Sequence, residues 1–167
     1  PAVLIARKVA PALAAGCTII VRPSRETPGT AAVMLDCLRE AGVPPGVASL
    51  VVGPTATTYD VLMKSPDVRK VSLTGSSAVG QQMLRDAAAT FKRATMELGG
   101  NAPVIVFDDA SLDATLDIVV PVKFANAGQV CVTGDRFYVH ESLYGKFVDG
   151  FAARAKALKL GHGLDEA

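Results

Sequence analysis

The sequence predicts an α/β fold with parallel strands, and three observations predict it. Helical patterns alternate with short β-branched runs along the chain, and Gly or Pro separates most of these elements. The alternation starts again after Gly99 and Gly100. A regular alternation of helix and strand is typical of a parallel sheet whose strands are connected by helices. We therefore predict two α/β domains, over residues 1–98 and 99–167.

The first domain is predicted to alternate helix and strand throughout. Gly16 and Gly42 follow the first two helical patterns, in the position that glycine favours after a helix. Thr27 and Pro28 suit the N-cap and the first position of the second helix. The β-branched runs are short, which is consistent with strands that are buried in a parallel sheet. The predicted helices cover residues 2–15, 28–41, 57–64 and 78–89, and the predicted strands cover residues 17–21, 48–52, 68–73 and 92–97.

The second domain is predicted to begin with a strand over residues 104–107. Ser111 is the predicted N-cap of a helix that runs to a turn at residues 126–129. A strand over residues 136–140 and a helix over residues 142–158 follow. This order repeats the pattern of the first domain, so the second domain is also predicted to be of the α/β class.

Composition and charge exclude several classes of function. Half of the 167 residues are hydrophobic and the net charge is +1, so we predict a globular protein without the basic surface that nucleic acid requires. No apolar run reaches the roughly 18 residues that indicate a membrane span. The cysteines number three and show no C-x-x-C spacing, which argues against a disulfide framework and favours a reducing, cytoplasmic setting. We predict no metal site.

Cys131 is the cysteine whose surroundings suggest chemistry. It follows a run at residues 126–129, Asn-Ala-Gly-Gln, which interrupts the helical pattern and leaves backbone N–H groups accessible. A thiol on such a turn is a strong nucleophile where its surroundings favour the thiolate, and an unreactive thiol is the alternative. Cys17 and Cys37 fall within strand and helix patterns, and both are predicted to lie in the core.

Two features follow strands of the first domain, at the edge where ligands bind in open α/β sheets. Residues 75–80, Gly-Ser-Ser-Ala-Val-Gly, connect a strand to a helix, so their backbone N–H groups are suited to bind an anion. This segment is neither a P-loop nor a G-x-G-x-x-G fingerprint, and an ordinary turn is the alternative. Glu97 ends another strand, where it is either a general base or a solvated carboxylate.

Three motifs, taken in order, resemble segments of the aldehyde dehydrogenase family. They are LTGSSAVG at residues 73–80, MELGGNAP at residues 96–103 and NAGQVC at residues 126–131. The resemblance extends over essentially the whole chain and is nearest to the semialdehyde dehydrogenases, succinate semialdehyde being the usual substrate. It implies a Rossmann-like cofactor-binding domain over residues 1–98 and the N-terminal part of a catalytic domain over residues 99–167.

The resemblance implies a role for each matched residue. Cys131 matches the nucleophile that attacks the aldehyde carbonyl and then carries a thioester. Glu97 matches the general base that activates water for hydrolysis of that thioester. Gly75 and Ser76 match the turn that meets the pyrophosphate of NAD or NADP. The implied partners are a small aldehyde and a nicotinamide cofactor, in a parent enzyme that is expected to be a homo-oligomer.

The sequence departs from the family pattern after the first predicted strand. Arg22 replaces the usual lysine, Arg25 replaces the glutamate that is common in NAD-preferring members, and Ser24 lies between them. A glutamate accepts hydrogen bonds from the ribose 2′-hydroxyl and repels a 2′-phosphate, whereas an arginine binds phosphate oxygens. We therefore predict a preference for NADP. The alternatives are that Arg25 points into solvent, or that Glu26 contacts the ribose instead.

Two further expectations concern the chain as a whole. Pro1 leads straight into a helical pattern and residues 161–167 stop in a predicted loop, so we expect a central piece of a longer enzyme that is inactive alone. A CoA-acylating enzyme is one alternative, but such members usually lack the matched glutamate. The other alternative is a non-catalytic nucleotide-binding or interaction module on a decayed copy of the fold, and the retention of both Cys131 and Glu97 argues against it.

Overall fold

Helices and strands alternate along residues 1–162 and residue 164, which a computed structural model describes. The helices are α1 (Ala2–Ala14), α2 (Pro28–Glu40), α3 (Thr55–Lys64), α4 (Ser77–Ala88), α5 (Leu112–Phe124) and α6 (Glu141–Lys156), and a short 3₁₀ turn covers Ala125–Gly128. The strands are β1 (Ile19–Val21), β2 (Ala48–Leu50), β3 (Lys70–Gly75), β4 (Arg93–Leu98), β5 (Ala102–Val106) and β6 (Gly134–Val139). The predicted α/β class is confirmed.

The strands pair in parallel, β1 with β2, β3 with β4 and β5 with β6. Parallel neighbours need a crossover connection, which α2, α4 and α5 provide in the three pairs. In the longest register, Lys70 lies opposite Arg93 and Gly75 lies opposite Leu98. The carboxyl ends of the two strands of a pair therefore lie side by side, and the loops that follow them begin at the same edge.

The chain divides into two compact units, Pro1–Leu98 and Gly99–Ala167, and each unit has an apolar core of its own. The buried residues of the first core are Val9, Val21 and Ala31, and those of the second are Val106, Leu116, Val120 and Phe147. The assignment of the units to a cofactor-binding domain and a catalytic domain stays a prediction.

In the first unit, a buried lysine holds the segment after α3 against the start of β4. Lys92 keeps only 7% of its surface exposed, and its Nζ donates hydrogen bonds to the carbonyl oxygens of Ser65, at 2.6 Å, and Val68, at 2.7 Å. Ser65 directly follows α3, where helix carbonyls lack internal partners and a cation is favoured. These carbonyls replace water around the ammonium group, which a buried charge requires.

A hydrogen-bonded group connects α3 to α4. The Tyr59 hydroxyl donates to Asp86 Oδ2 at 2.5 Å, and Gln82 Nε2 donates to Asp86 Oδ1 at 2.9 Å. Burial, with a smaller effect of Asp86, raises the pKa of Tyr59 to about 12. The hydrogen bond from Tyr59, followed by that from Gln82, lowers the pKa of Asp86 below its ordinary value. The neutral phenol and the ionised carboxylate are therefore the stable pair.

In the second unit, a glycine allows α5 and α6 to pack closely. A Cβ built on Gly150 would lie 2.5 Å from Leu116 Cδ1, so a larger residue there would require the buried Leu116 side chain to move. Arg154 also forms ion pairs with Asp113, at 2.9 Å, and Asp117, at 3.1 Å. Exposed ion pairs contribute only about 0–1 kcal/mol each. The apolar contact is therefore the stronger reason for this helix pair.

The structure corrects several details of the prediction. β1 begins at Ile19, later than predicted, because the Cys17 N–H donates to Ala12 O at 2.9 Å and so completes the C-terminal cap of α1. Gly16 has a φ of 70°, as the predicted cap requires. Cys17 and Cys37 are both exposed, so the prediction that they lie in the core is wrong. Cys17 belongs to a helix cap rather than to a strand, and Cys37 lies on the outer side of α2.

Candidate functional site

The predicted site residues of the first unit lie where parallel strands end. Arg22 directly follows β1, Gly75 is the last residue of β3, and Glu97 is the second-last residue of β4. Ligands of open α/β sheets bind beyond the carboxyl ends of the strands. All three residues therefore occupy positions that suit ligand binding.

Glu97 is half-buried and lies opposite Thr74 of β3. Opposite residues of a parallel pair point to the same face of the sheet. Thr74 Oγ1 is shielded from solvent and has no hydrogen-bond partner among the described residues. The ion pairs found in the described part of the chain do not include Glu97. No cation therefore binds the Glu97 carboxylate there, as suits a group that accepts a proton.

Gly75 and Ser76 form the turn that leads into α4. Ser76 is the N-cap, and its Oγ accepts a hydrogen bond from the Val79 N–H at 3.4 Å. The N–H groups of Ser77 and Ala78 belong to the first turn, where a helix lacks internal acceptors and has a positive partial charge. This donor set suits an anion such as pyrophosphate. The contact with pyrophosphate itself stays a prediction.

Arg22 is anchored to the loop that follows the neighbouring strand. It is half-buried, it lies between the buried residues Val21 and Pro23, and its Nη2 donates a hydrogen bond to Oγ1 of Thr55. Thr55 is the first residue of α3 and follows the loop after β2. A guanidinium has five N–H donors, and this bond uses one of them. The remaining donors are available to a ligand.

Ser24 and Arg25 lie in a tight turn that follows Arg22 and Pro23. Ser24 Oγ accepts a hydrogen bond from the Glu26 N–H at 3.2 Å, which leaves the Ser24 hydroxyl proton free to donate. Arg25 is exposed. Neither Arg22 nor Arg25 forms an ion pair within the residues that the structure describes. Two cations without a carboxylate partner therefore lie next to a hydroxyl donor.

In the second unit, Cys131 follows a turn with an uncommon backbone conformation. Asn126, Ala127 and Gly128 have φ values of 51°, 55° and 78°, all in the left-handed region. Left-handed conformation costs roughly 1–2 kcal/mol for a residue other than glycine. Such strain concentrates at active sites and ligand-binding segments. The turn is thus a strong candidate for a functional segment, in agreement with the expectation for Cys131.

Local hydrogen bonds stabilise the strained turn. The Asn126 side-chain amide donates to Gln129 O at 3.1 Å, and the Gln129 N–H donates to Asn126 O at 3.1 Å. A Cβ built on Gly128 would lie 3.3 Å from Lys123 O, at the end of α5. Asn126 and Gly128 are therefore the residues that this conformation needs, since asparagine tolerates the left-handed region and glycine has no Cβ.

A second turn carries Cys131 itself. The Thr133 N–H donates to Val130 O at 3.0 Å, so Cys131 and Val132 are the central residues of this turn. The buried Thr133 hydroxyl contacts Val122 O at 3.1 Å and Lys123 O at 3.4 Å, which are carbonyls of the last turn of α5. Cys131 is exposed. Its thiol is therefore presented to solvent on a segment that is bonded to α5.

Three threonines of these sites were not predicted from the sequence. Thr55 holds Arg22, Thr74 faces Glu97, and Thr133 fixes the segment with Cys131. A local signal existed only for Thr74, since it directly precedes Gly75 at the end of β3, whereas Thr55 becomes visible only through the pairing of β1 with β2. Thr133 bonds to carbonyls of α5 that lie 10 and 11 residues earlier in the chain, and no local pattern indicates such a contact.

Two other classes of site find no support in the described part of the chain. No group of three or more His, Cys, Asp or Glu side chains there is arranged to hold a metal ion. The described helices are also too short or too polar to cross a membrane.

Comparisons with known proteins agree on one family. Residues 1–167 match the aldehyde dehydrogenase family. The chain is 47% identical to a succinate semialdehyde dehydrogenase of Acinetobacter baylyi over 165 residues, 99% of this chain and 34% of that protein. It is 46% identical to succinate-semialdehyde dehydrogenase [NADP(+)] 1 of Schizosaccharomyces pombe over 166 residues, 99% of this chain and 33% of that protein.

A solved structure also superposes on the chain. It is that of the succinate-semialdehyde dehydrogenase from Burkholderia pseudomallei, with a TM-score of 0.93 and 49% sequence identity. The superposition covers 99% of this chain and 34% of that one. The chain therefore spans about a third of the length of the relatives that it matches.

Proposed function

The chain belongs to the aldehyde dehydrogenase family, and from this premise we propose that the protein oxidises an aldehyde to a carboxylic acid, with NADP or NAD as the oxidant. The observation that carries the proposal is the exposed thiol of Cys131, on a segment with a strained backbone that is bonded to α5. A structural cysteine needs neither exposure nor strain. A nucleophile needs both an open approach and a fixed position.

The first chemical role belongs to Cys131. Its thiolate attacks the aldehyde carbon, a C–S bond forms, and the carbonyl π electrons move to the oxygen. Cys131 is the first central residue of the turn closed by Thr133, and its own N–H is not needed for that turn. We infer that this N–H donates to the oxyanion, a contact that typically accelerates acyl transfer by 10²–10³. A bound nicotinamide would supply the hydride acceptor, and loss of a hydride from this carbon would leave a thioester on Cys131.

The second role belongs to Glu97. Its carboxylate takes a proton from water, and the water oxygen adds to the thioester carbonyl. The C–S bond then breaks, the thiolate of Cys131 is regenerated, and the carboxylic acid leaves. Half-burial and the absence of an ion pair in the described residues support this role, because a carboxylate that is bound to a cation is a weaker base.

The first unit has groups that fit a nicotinamide dinucleotide. The N-terminus of α4 at Ser76 presents backbone N–H groups to an anion, as a pyrophosphate requires. Arg22, Ser24 and Arg25 supply cationic and hydroxyl donors, and neither arginine forms an ion pair with a carboxylate in the described chain. We infer that these three residues bind the adenosine ribose and its 2′-phosphate. The proposed preference for NADP rests on the positive charge of Arg22 and Arg25. The name of the Schizosaccharomyces pombe relative, which includes NADP(+), also supports it.

We propose succinate semialdehyde as the substrate, in a homo-oligomeric enzyme of the cytoplasm. The names of the Acinetobacter baylyi and Burkholderia pseudomallei relatives support the substrate, at 47% and 49% identity. The resemblance to the family supports the oligomer, and the isolated cysteines support a reducing compartment.

The test uses the full-length protein with succinate semialdehyde and NADP or NAD, and it follows the absorbance of reduced nicotinamide. Cys131→Ala should abolish oxidation while NADPH still binds, as fluorescence titration would show. Cys37→Ala is the control, because Cys37 is also an exposed thiol but lies in α2. Full activity of Cys131→Ala contradicts the mechanism. A wild type that binds cofactor but oxidises no aldehyde supports a non-catalytic module instead.

A further inference from the structure

The contact between Arg22 and Thr55 joins two loops that are distant in sequence. Arg22 follows β1 and Thr55 begins α3, after the loop that follows β2. The two strands are parallel neighbours, with Val21 opposite Leu50, so both loops begin at the same edge of the sheet. The bond therefore links the first loop, where the cofactor's adenosine is proposed to bind, to α3, the helix that follows β2.

Neither burial nor helix capping accounts for the contact of the Thr55 hydroxyl with Arg22. Thr55 is exposed, so the hydroxyl does not have to be paired to avoid a burial cost. The helix cap does not need it either, because the N-cap position of α3 is Pro54, which has no side-chain cap bond. A polar contact that neither a cap nor burial explains is a candidate for the positioning of its partner.

A free arginine has many rotamers, and its planar set of donors binds a phosphate well only in a few of them. The bond from Nη2 to Thr55 selects one orientation of the guanidinium and leaves most of its N–H donors to a ligand. Arg25, by contrast, is exposed in its turn. Of the two arginines, Arg22 is the one whose orientation is fixed by the protein.

We propose that Thr55 is a positioning residue, which orients the Arg22 guanidinium for the 2′-phosphate of NADP and thereby sets the preference for NADP over NAD. This inference rests on the proposed function, since it requires that Arg22 contacts the cofactor. Thr55 itself acts through Arg22. NAD has a hydroxyl instead of the 2′-phosphate, so its binding depends much less on this orientation.

The experiment measures two quantities in the full-length protein. One is the dissociation constant of NADPH and of NADH, from the fluorescence of the bound nicotinamide. The other is kcat/KM for NADP and for NAD with a fixed aldehyde. Thr55→Val should weaken NADPH binding roughly three- to tenfold, the range for loss of one ordinary hydrogen bond, with little change for NADH. Thr55→Ser retains the hydroxyl, so its ratio of NADPH affinity to NADH affinity should equal that of the wild type.

Matched variants separate positioning from general damage to α3. Thr57→Val makes the same substitution in the first turns of α3, at an exposed position, and should leave both cofactors unchanged. Equal losses for NADPH and NADH in Thr55→Val overturn the inference, because a structural defect affects both. Failure of Thr55→Ser to restore the ratio overturns it as well.

Arg22→Gln distinguishes this inference from the proposed function. If the NADPH-to-NADH affinity ratio falls in Arg22→Gln but not in Thr55→Val, the proposed role of Thr55 is wrong. The proposed role of Arg22 is then still supported. An unchanged ratio in Arg22→Gln overturns both roles at this site. Loss of the ratio in Arg22→Gln and Thr55→Val, with recovery in Thr55→Ser, supports the inference.

Discussion

Gly80 of α4 lies against Leu98, the last residue of β4. A Cβ built on Gly80 would lie 2.6 Å from Leu98 Cδ2, which is too short for a side-chain contact, and 3.0 Å from Leu98 Cδ1, which is unusually tight. The absence of a side chain at Gly80 therefore lets α4 approach the end of β4. Glu97 precedes Leu98, and Ser76 caps the same helix, so this contact lies next to two of the predicted site residues.

Replacing Gly80 should destabilise the protein. In Gly80→Ala, Leu98 has to move or change its rotamer, and overpacking of this kind typically costs 1–3 kcal/mol of the free energy of unfolding. Urea denaturation measures this change. Gly29→Ala is the control, because Gly29 is a helical glycine in the same unit with no heavy atom within 4 Å of its added Cβ. A loss in Gly29→Ala equal to that in Gly80→Ala contradicts the packing argument.

Replacing Glu97 should separate the two halves of the proposed reaction. In Glu97→Gln, attack by Cys131 and reduction of the cofactor still occur, but no carboxylate activates water. We expect a burst of reduced cofactor on the order of one per active site, followed by a steady rate at least 10²-fold below that of the wild type, as is typical of a lost general base. Rapid-mixing absorbance measures both phases. Glu40→Gln, an exposed carboxylate at the end of α2, should show no burst.

Replacing Gly128 should distort the segment before Cys131. Its φ is 78°, and a Cβ there would lie 3.3 Å from Lys123 O, so Gly128→Ala combines backbone strain with crowding against α5. We expect a loss of about 1–2 kcal/mol in the free energy of unfolding. Activity should fall as well, because the nucleophile moves. Gly145→Ala in α6, where the added Cβ meets nothing within 4 Å, should cause neither effect.

The pair of Tyr59 and Asp86 should be visible in an alkaline titration. Burial and Asp86 raise the pKa of Tyr59 from 10.0 to about 12, so the phenol stabilises the folded state fully below pH 10 and loses this contribution as the pH rises through about 12. The difference in phenolate absorbance between wild type and Tyr59→Phe isolates this group. Its midpoint should lie near pH 12, and in Asp86→Asn it should fall only part of the way towards 10, because burial is the larger cause of the shift. A midpoint near 10 in the wild type contradicts the contact.

The contribution of Asp86 to stability is lost in the opposite direction of pH, as the solution becomes acidic. The bonds from Tyr59 and Gln82 lower the pKa of Asp86, so the carboxylate contributes stability above its ordinary pKa of 3.8 and loses this contribution as the pH falls through the lowered value. The difference in the free energy of unfolding between the wild type and Asp86→Asn should therefore become smaller as the solution is made strongly acidic. Urea denaturation at several pH values measures this difference.

The order and type of the helices and strands were predictable because the signals are local. Gly16 and Gly42 end helices with positive φ values of 70° and 89°, and Pro28 begins α2. The start of β1 was less predictable, because the N–H of Cys17 serves the preceding helix rather than the strand. β-branched composition cannot show such competition for a single backbone donor.

The roles of the candidate site residues stay predictions. Motifs identified Cys131 and Glu97 as candidates, and both lie on backbone positions that suit their proposed roles. Thr55 and Thr133 act through bonds to Arg22 and to carbonyls of α5, which lie far from them in sequence or on another element. Only the pairing of strands and helices in space makes such partners visible, so a single sequence without structure does not assign them.

Lys92 has a consequence for chemical labelling of the protein. Its amine is buried and donates to two carbonyls, so an acylating reagent reaches it only when the segment after α3 separates from β4. Exposed lysines such as Lys64 react without any such opening. The rate at which mass spectrometry finds Lys92 modified, relative to Lys64, therefore reports the local opening of the first unit. The Lys92 amine is therefore a natural probe of local unfolding in the first unit.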